Sequence, residues 1–426
     1  MKRLQRMLMN LSSQLTLAIL RFARDIGLIS NAWGANYGRL KEIRLSGDDR
    51  HNQSAQVLFF VFENSRTLVY KPSRLRTDKA LADFLSLCRS EGPTVESIER
   101  EGYFWEKYIG ISYLRTESDC KTYWYRAGTM LAAADLCDFS DGHFENVVAT
   151  AEGPCIVDSE TLCQHIRTRY DEGEEHSVLA TGLIQSIGAQ DKGWGLRAAY
   201  QVAGECVSEI LYPHAVNERT LNLRVEMRGS RKTFLRNYPI RDGHFVSLLD
   251  YKEDFDRGLL DTYLYVIDNK RKILNDVWWG RYRNLSTRQI LRDTLYYTLI
   301  ERVSEQPNYA KDSFRLESML HRYTDPVSDR FKAYAFLSQI TDYERRALRR
   351  MDIPIFYSRI GDCDLIDGDG RRYRNFFPCS AVEQVRHRIA RLDEAYAARR
   401  VEIVDHHMDL GIEFGRVPDI AEEDMS

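Results

Sequence analysis

Apolar residues recur at helical spacing over the first two dozen positions, where Leu4, Leu8, Leu11, Leu15, Ile19 and Phe22 mark one face of an amphipathic packing helix. Asn10, Ser12, Ser13 and Gln14 interrupt this stretch and Arg21 and Arg24 follow it closely, so it does not read as a secretion signal. A loop is expected over residues 31–37. The pattern then shortens to that of strands: residues 57–63 and 67–70 predict a hairpin around Asn64-Ser65-Arg66, and Lys71 closes the second strand ahead of Pro72. Helices are predicted over 77–90 and 128–137, and later over 286–302, 313–322, 330–350 and 381–408. Residues 167–250 are mixed and weakly periodic and yield no element. The acidic tail Glu422-Glu423-Asp424 reads as solvated.

Composition narrows the function classes. A chain of 426 residues can bury a large core, and its net charge of -3 gives no basic field for nucleic acid. Eight cysteines occur without a Cys-x-x-Cys pair, which argues against a zinc site or disulfide framework and for a reducing cytoplasm. No run of eighteen apolar residues exists, so no transmembrane segment is expected.

The chemistry concentrates between residues 141 and 161. Asp141 stands five positions before Asn146, the interval between the substrate-orienting Asp and the Mg²⁺-binding Asn of a kinase catalytic loop. Val147-Val148-Ala149 and Cys155-Ile156-Val157 flank a Glu-Gly-Pro turn. The hairpin this predicts would bring Asn146 and Asp158 to the same end, close enough to share a metal. Lys71, at a strand end upstream, suits the cation on the nucleotide phosphates. Singly, each residue would read as a turn cap or a surface charge; their order and spacing favour phosphoryl transfer, in which positioning and charge neutralisation supply most of the catalysis.

Other motifs read as structure. Asp242-Gly-His244-Phe repeats the tetrapeptide at Asp141, but Ser247 stands where Asn is required, so a turn is expected there. Asp367-Gly368-Asp369-Gly370 is half a calcium loop without its remaining ligands, again a turn, and the adjacent His406 and His407 point about 100° apart on a helix. No Gly-x-Gly-x-x-Gly precedes Lys71, which excludes an ordinary protein kinase lid.

Taken together, the motifs resemble the dehydratase domain of type 2 lanthipeptide synthetases. Asp49-Arg50-His51 is similar to that family's Gly-Asp-x-His segment, Tyr70-Lys71-Pro72 to its Tyr-Lys-Pro-Arg, Asp141–Asn146 to its Asp-x-His-x-x-Asn, and Val157-Asp158-Ser159-Glu160-Thr161 to its Ile-Asp-x-Glu-Thr. Arg288, Arg292, Thr294 and Tyr297 match an Arg-x-x-x-Arg-x-Thr-x-x-Tyr helix, and Asp352-Ile353-Pro354-Ile355-Phe356 matches Asp-Ile-Pro-x-Phe. The similarity runs from about residue 40 to residue 408. The departures are one extra residue between Gly47 and Asp49, Ser73 in place of Arg, and Lys107 at the acidic position of Tyr103–Lys107, with Glu106 one place early.

The resemblance implies a protein-kinase-like, two-lobed α+β fold with a helical C-terminal extension. It implies ATP- and Mg²⁺-dependent phosphorylation of Ser and Thr in a ribosomal precursor peptide, then phosphate elimination to dehydroalanine or dehydrobutyrine. Lys71, Asp141, His143, Asn146 and Asp158 would serve phosphorylation, with Glu160 supporting the metal from the same side of the strand pleat as Asp158. Asp49, His51, Arg288 and Thr294 would serve elimination. Expected units are an N-terminal helix and loop (1–38), a sheet lobe (39–125), a lobe with the catalytic loop and elimination helix (126–300), and a helical extension with acidic tail (301–426). The family's C-terminal cyclase and much of its N-terminal portion have no counterpart here, so ring closure is expected from a separate cyclase or partner synthetase. Two alternatives stay open: a kinase without elimination, and a non-catalytic relative that binds a leader peptide or a partner.

Overall fold

The computed structural model describes residues 2–46, 51, 55–165, 178–184, 198–200, 207–217, 222, 224–233, 236–292, 294–325 and 336–414. The chain opens with helix α1 (Lys2–Trp33), followed by strands β1 (Leu40–Leu45), β2 (Leu58–Phe62) and β3 (Thr67–Lys71), helix α2 (Asp78–Leu87), and strands β4 (Ser97–Arg100) and β5 (Tyr103–Lys107). The strands form an antiparallel sheet in the order β1-β2-β3-β5-β4. The expected hairpin is thus present, and Pro72, which has no amide proton to donate, follows the last residue of β3.

Helix α1 covers one face of this sheet. Leu15, Ala18, Phe22, Ile26, Ile29 and Trp33 pack against Phe60, Phe62, Tyr70 and Trp105. The packing stripe is therefore rotated from the one expected: Leu8 and Ile19 stay exposed, and the helix extends into the expected loop. Asp25 is buried under the sheet, where its carboxylate accepts from Tyr103 Oη at 2.5 Å and Trp105 Nε1 at 3.0 Å. These charge-assisted bonds answer the cost of burying a carboxylate.

Helix α3 (Glu117–Leu136) starts well before the expected residue 128, because Thr116 and Asp119 form a reciprocal capping box. It crosses α4 (Lys252–Asp268) at two glycines. A Cβ on Gly128 would lie 2.0 Å from the Phe255 carbonyl oxygen, and one on Gly258 would lie 2.0 Å from that of Tyr125. The hairpin β6 (Val147–Thr150) and β7 (Gly153–Ile156) follows α3. In the weakly periodic region, β8 (Val207–Val216) pairs with β9 (Arg224–Thr233), and β10 (Ile240–Arg241) with β11 (His244–Phe245). Asp242 and Gly243 form the β10–β11 turn at φ 51° and 81°, as expected.

The C-terminal part corrects the expectation of an all-helical extension. Strands β12 (Ser286–Gln289), β13 (Phe356–Arg359), β14 (Leu365–Asp367) and β15 (Arg372–Tyr373) form a second antiparallel sheet. The helix expected at 286–302 is strand β12 followed by a helix at Thr294–Glu305. Thr287, Gln289, Phe356 and Ser358 are buried on one face of β12 and β13, which leaves Ser286, Arg288 and Tyr357 on the other. Helix Leu337–Arg349 packs on the core side through Ile340, Tyr343 and Ala347. The Asp367-Gly368-Asp369-Gly370 segment is a turn, in which Asp367 Oδ1 accepts from the amides of Asp369 and Arg371.

The expected final helix is two, Ala381–Arg391 and Glu394–Phe414. Asp393 sits at the break and accepts from Tyr396 N at 2.7 Å, which starts the second helix. Asp135 of α3 ties the second of these helices to α4 by accepting from Tyr263 Oη at 2.7 Å and Tyr396 Oη at 3.1 Å. The acidic tail and residues 330–335 of the expected helix lie outside the described residues.

Candidate active site

The end of β3 places Lys71 beside two carboxylate-bearing segments. On β5, Phe104 is the cross-strand partner of Lys71, so Glu106 sits diagonally on the same face. Its carboxylate pairs with Lys71 Nζ at 2.9 Å, and Nζ also donates to the Val157 carbonyl at 2.8 Å. Glu106 thus fills the acidic place that the motif comparison left to Lys107; Lys107 points the other way and pairs with Glu96. The alternation of the strand was the signal that could have found it. Burial disfavours the Lys71 ammonium, but Glu106, Asp158 and Asp78 outweigh it and hold its pKa above the usual lysine value.

The β6–β7 hairpin does what its sequence predicts. Val147 pairs with Ile156, and Val157 N donates to the Asn146 carbonyl at 2.9 Å, which sets Asn146 and Asp158 at one end. Asp141 holds φ 67°, a left-handed conformation that Asp tolerates better than most residues. Next to it, Gly142 donates its amide to the Thr181 carbonyl, and a Cβ there would lie 2.6 Å from that oxygen. Asn146 Nδ2 donates to the Asp141 carbonyl at 2.9 Å, which leaves its oxygen for a cation. His143 Nδ1 accepts from Glu145 N at 3.3 Å, and its Nε2 lies 3.5 Å from Asp141 Oδ1.

Asp158 and Glu160 do not share a strand face, since β7 ends at Ile156. Instead Glu160 N donates back to Asp158 Oδ1 at 3.2 Å in a tight turn. Ser159, between them, donates to Asp78 Oδ1 at 2.6 Å and bonds Thr77 at 2.8 Å, which ties this turn to the start of α2. Burial first, and Glu160 second, push the Asp158 carboxyl up to about 6 against the pull of Lys71.

Glu160 leads on to the second sheet. Its carbonyl accepts from Arg288 N at 2.7 Å, and its carboxylate pairs with Arg288 Nη1 at 2.5 Å. The Arg288 guanidinium lies within the electrostatic influence of Asp141 and Asp158 as well, and burial is outweighed by these three carboxylates. Arg288 is therefore presented by a strand, and Thr294 by the first turn of the following helix, rather than both by one helix. His51 comes to the same place: its Nδ1 lies 2.9 Å from the Ile353 carbonyl, and donation there leaves Nε2 as an acceptor. Burial, with Arg288 nearby, lowers its pKa to about 3, so the ring stays neutral. Asp49 lies outside the described residues.

Lys71, Asp141, His143, Asn146, Asp158, Glu160, His51, Arg288 and Thr294 all line one cleft of about 1710 Å³. Nothing in the order of these residues along the chain requires that convergence; the pairing of β12 with β13 and of Arg288 with Glu160 produces it. For a magnesium ion, the Asn146 oxygen and the Asp158 carboxylate suit an octahedral ion completed by phosphates and water. Among the described residues no group of three His, Cys, Asp or Glu could hold a metal by itself, so an all-protein cage is not what this cleft offers.

The family described as a domain of unknown function, DUF4135, has a model that matches residues 1–359. The chain belongs to this family. Among curated proteins, the lacticin 481/lactococcin biosynthesis protein LcnDR2 of Lactococcus lactis subsp. lactis is 23% identical over 301 residues. The match covers 64% of this chain and 32% of that protein, so the chain spans about a third of its relative's length. Both findings bear out the resemblance to the dehydratase domain of type 2 lanthipeptide synthetases. No helix among the described residues of this DUF4135 chain is long and apolar enough to cross a membrane.

Proposed function

We propose that the chain is a kinase-like dehydratase that phosphorylates Ser and Thr residues of a ribosomal precursor peptide and then eliminates the phosphate, in lanthipeptide maturation. The observation that carries this reading is the shared cleft, where Lys71, Asn146 and Asp158 meet Arg288, Thr294 and His51. The curated relative's printed role in lacticin biosynthesis supports the peptide as substrate class. The antiparallel sheet bearing the Lys71–Glu106 pair, set against the Asp141 loop and the hairpin, supports a protein-kinase-like arrangement.

In the first step Lys71 grips the nucleotide phosphates and Asp141 orients the Ser or Thr hydroxyl, with His143 steadying the loop. Asn146 and Asp158 would hold the magnesium ion, which neutralises phosphate charge when bound. In the second step Arg288 and Thr294 hold the new phosphate, while His51 Nε2, with Asp49 on the same segment, takes the α-proton. The C–H electron pair becomes the Cα=Cβ bond, the Cβ–O bond breaks, and phosphate leaves with its electrons. Phosphorylation thus replaces hydroxide with a far better leaving group. Glu160 holds Arg288 in place until a phosphate competes for it.

The test is to incubate the chain with the co-encoded peptide, ATP and Mg²⁺ and to follow peptide mass. Gain of phosphate followed by net loss of water is expected. Stable phosphopeptide would support a kinase alone, and absence of nucleotide binding at millimolar ATP would support a non-catalytic binding role.

A further inference from the structure

The second sheet presents a side chain to the cleft that neither the motifs nor the proposed mechanism uses. Arg288 on β12 is the direct cross-strand partner of Tyr357 on β13, and Tyr357 in turn is the partner of Ile366 on β14. Directly opposed residues of an antiparallel pair project to the same face with Cβ atoms about 4.5–5.5 Å apart. Burial agrees with this geometry: Phe356 and Ser358, on either side of Tyr357, are buried in the core of the sheet, while Tyr357 is half-buried. Arg288, Tyr357 and Ile366 therefore form a row across the sheet, and all three line the cleft with Thr294.

The chemistry of the leaving group asks for more than the assigned residues supply. A phosphoserine carries close to two negative charges and three acceptor oxygens at neutral pH, and further charge develops on the phosphate as the Cβ–O bond breaks. Arg288 can engage two oxygens with its forked donors and Thr294 adds one hydroxyl, but the guanidinium also faces Glu160 at 2.5 Å. A neutral donor beside it would add a hydrogen bond without adding another charge that must be buried. The Tyr357 phenol occupies that place in the row, on a rigid strand rather than a loop.

We propose that Tyr357 is a further catalytic residue of the elimination step, and that its hydroxyl donates a hydrogen bond to the phosphate held by Arg288 as the phosphate departs. The proposal rests on the dehydratase reading. An aromatic ring on a half-buried sheet face can also serve packing alone, and Tyr357→Phe separates the two, since it keeps the ring and removes only the donor.

The experiment uses the precursor peptide carrying a preformed phosphoserine and follows its dehydration by mass, with inorganic phosphate as product inhibitor. For Tyr357→Phe, kcat for elimination should fall by about 10-fold or more, the scale of losing one hydrogen bond to a charged group, and phosphate inhibition should weaken in parallel. Elimination and phosphate inhibition both at the wild-type level would overturn the assignment. So would a slower reaction with unchanged phosphate inhibition, because the hydroxyl would then act somewhere other than on the phosphate. A wild-type chain that leaves the phosphopeptide intact would sink the dehydratase reading itself, and this residue's role with it.

Discussion

The two halves of the cleft are assembled from very different amounts of chain. The half around Asp141, Asn146 and Asp158 is one continuous hairpin segment, to which only the end of β3 and the diagonal Glu106 are added. The half around Arg288 joins a strand at residues 286–289 to another at 356–359, adds a helix start at Thr294, and is closed by His51 against the Ile353 carbonyl. Local geometry is enough to build the first. The second exists only once distant segments have paired, so its loop-closure cost is met by tertiary packing. The two are linked through Glu160, which is two residues from Asp158 and ion-paired with Arg288.

This contrast can be broken by substitution. Asp158→Asn should have the largest effect, lowering phosphate incorporation by roughly 10³-fold, as expected when a metal-bound charge that stabilises the transition state is lost. Incorporation within a factor of ten of wild type would show that the hairpin half is misassigned. Arg288→Ala should act mainly on the other half, slowing elimination by roughly 10² to 10³-fold so that phosphopeptide builds up in the mass spectrum. If the variant yields dehydrated peptide at the wild-type rate, Arg288 has no part in removing phosphate.

Acid should loosen the junction between the halves. His165 follows the Asp158 segment, stacks on Phe377 at 4.2 Å between ring centroids, and lies with its Nε2 2.9 Å from the Asp362 carbonyl. Burial lowers its pKa from 6.5 to about 4, so the folded protein favours the neutral ring. Its stabilising contribution is present above pH 6.5 and is lost as pH falls towards 4, a change of about 3 kcal/mol. Urea unfolding of wild type and His165→Gln at pH 7 and pH 4 checks this: the wild type should lose more stability by that amount, and equal losses would refute it. The smallest effect is expected for Thr294→Ala, about a 10-fold slowing of elimination from a preformed phosphopeptide; a rate equal to wild type would remove Thr294 from the site.

The same contrast explains what the sequence could tell. The strand ending at Lys71 and the hairpin that joins Asn146 to Asp158 were legible because alternation and a turn fix both within a few residues. Apolar spacing predicts only the end of helix α3, because its start depends on the Thr116–Asp119 cap. At 286–302 the run of mixed residues predicts one helix, although Ser286 to Gln289 are held extended by β13, a partner that local periodicity cannot reveal. The stripe of α1 was misplaced for a similar reason, since the sheet beneath it selects Ala18 and Ile29 over Leu8 and Ile19. Motif spacing puts Glu106 one place early, whereas the strand's own alternation puts it on the Lys71 face.

The most direct test of the shared cleft is a crystal structure of the chain with Mg²⁺ and a non-hydrolysable ATP analogue. The phosphates are expected between Lys71 and Asp158, the metal on Asp158 and Asn146, and the terminal phosphate on the side of the cleft that faces Arg288. A nucleotide bound elsewhere, or one held in the cleft without contact to Lys71 or Asp158, would contradict it.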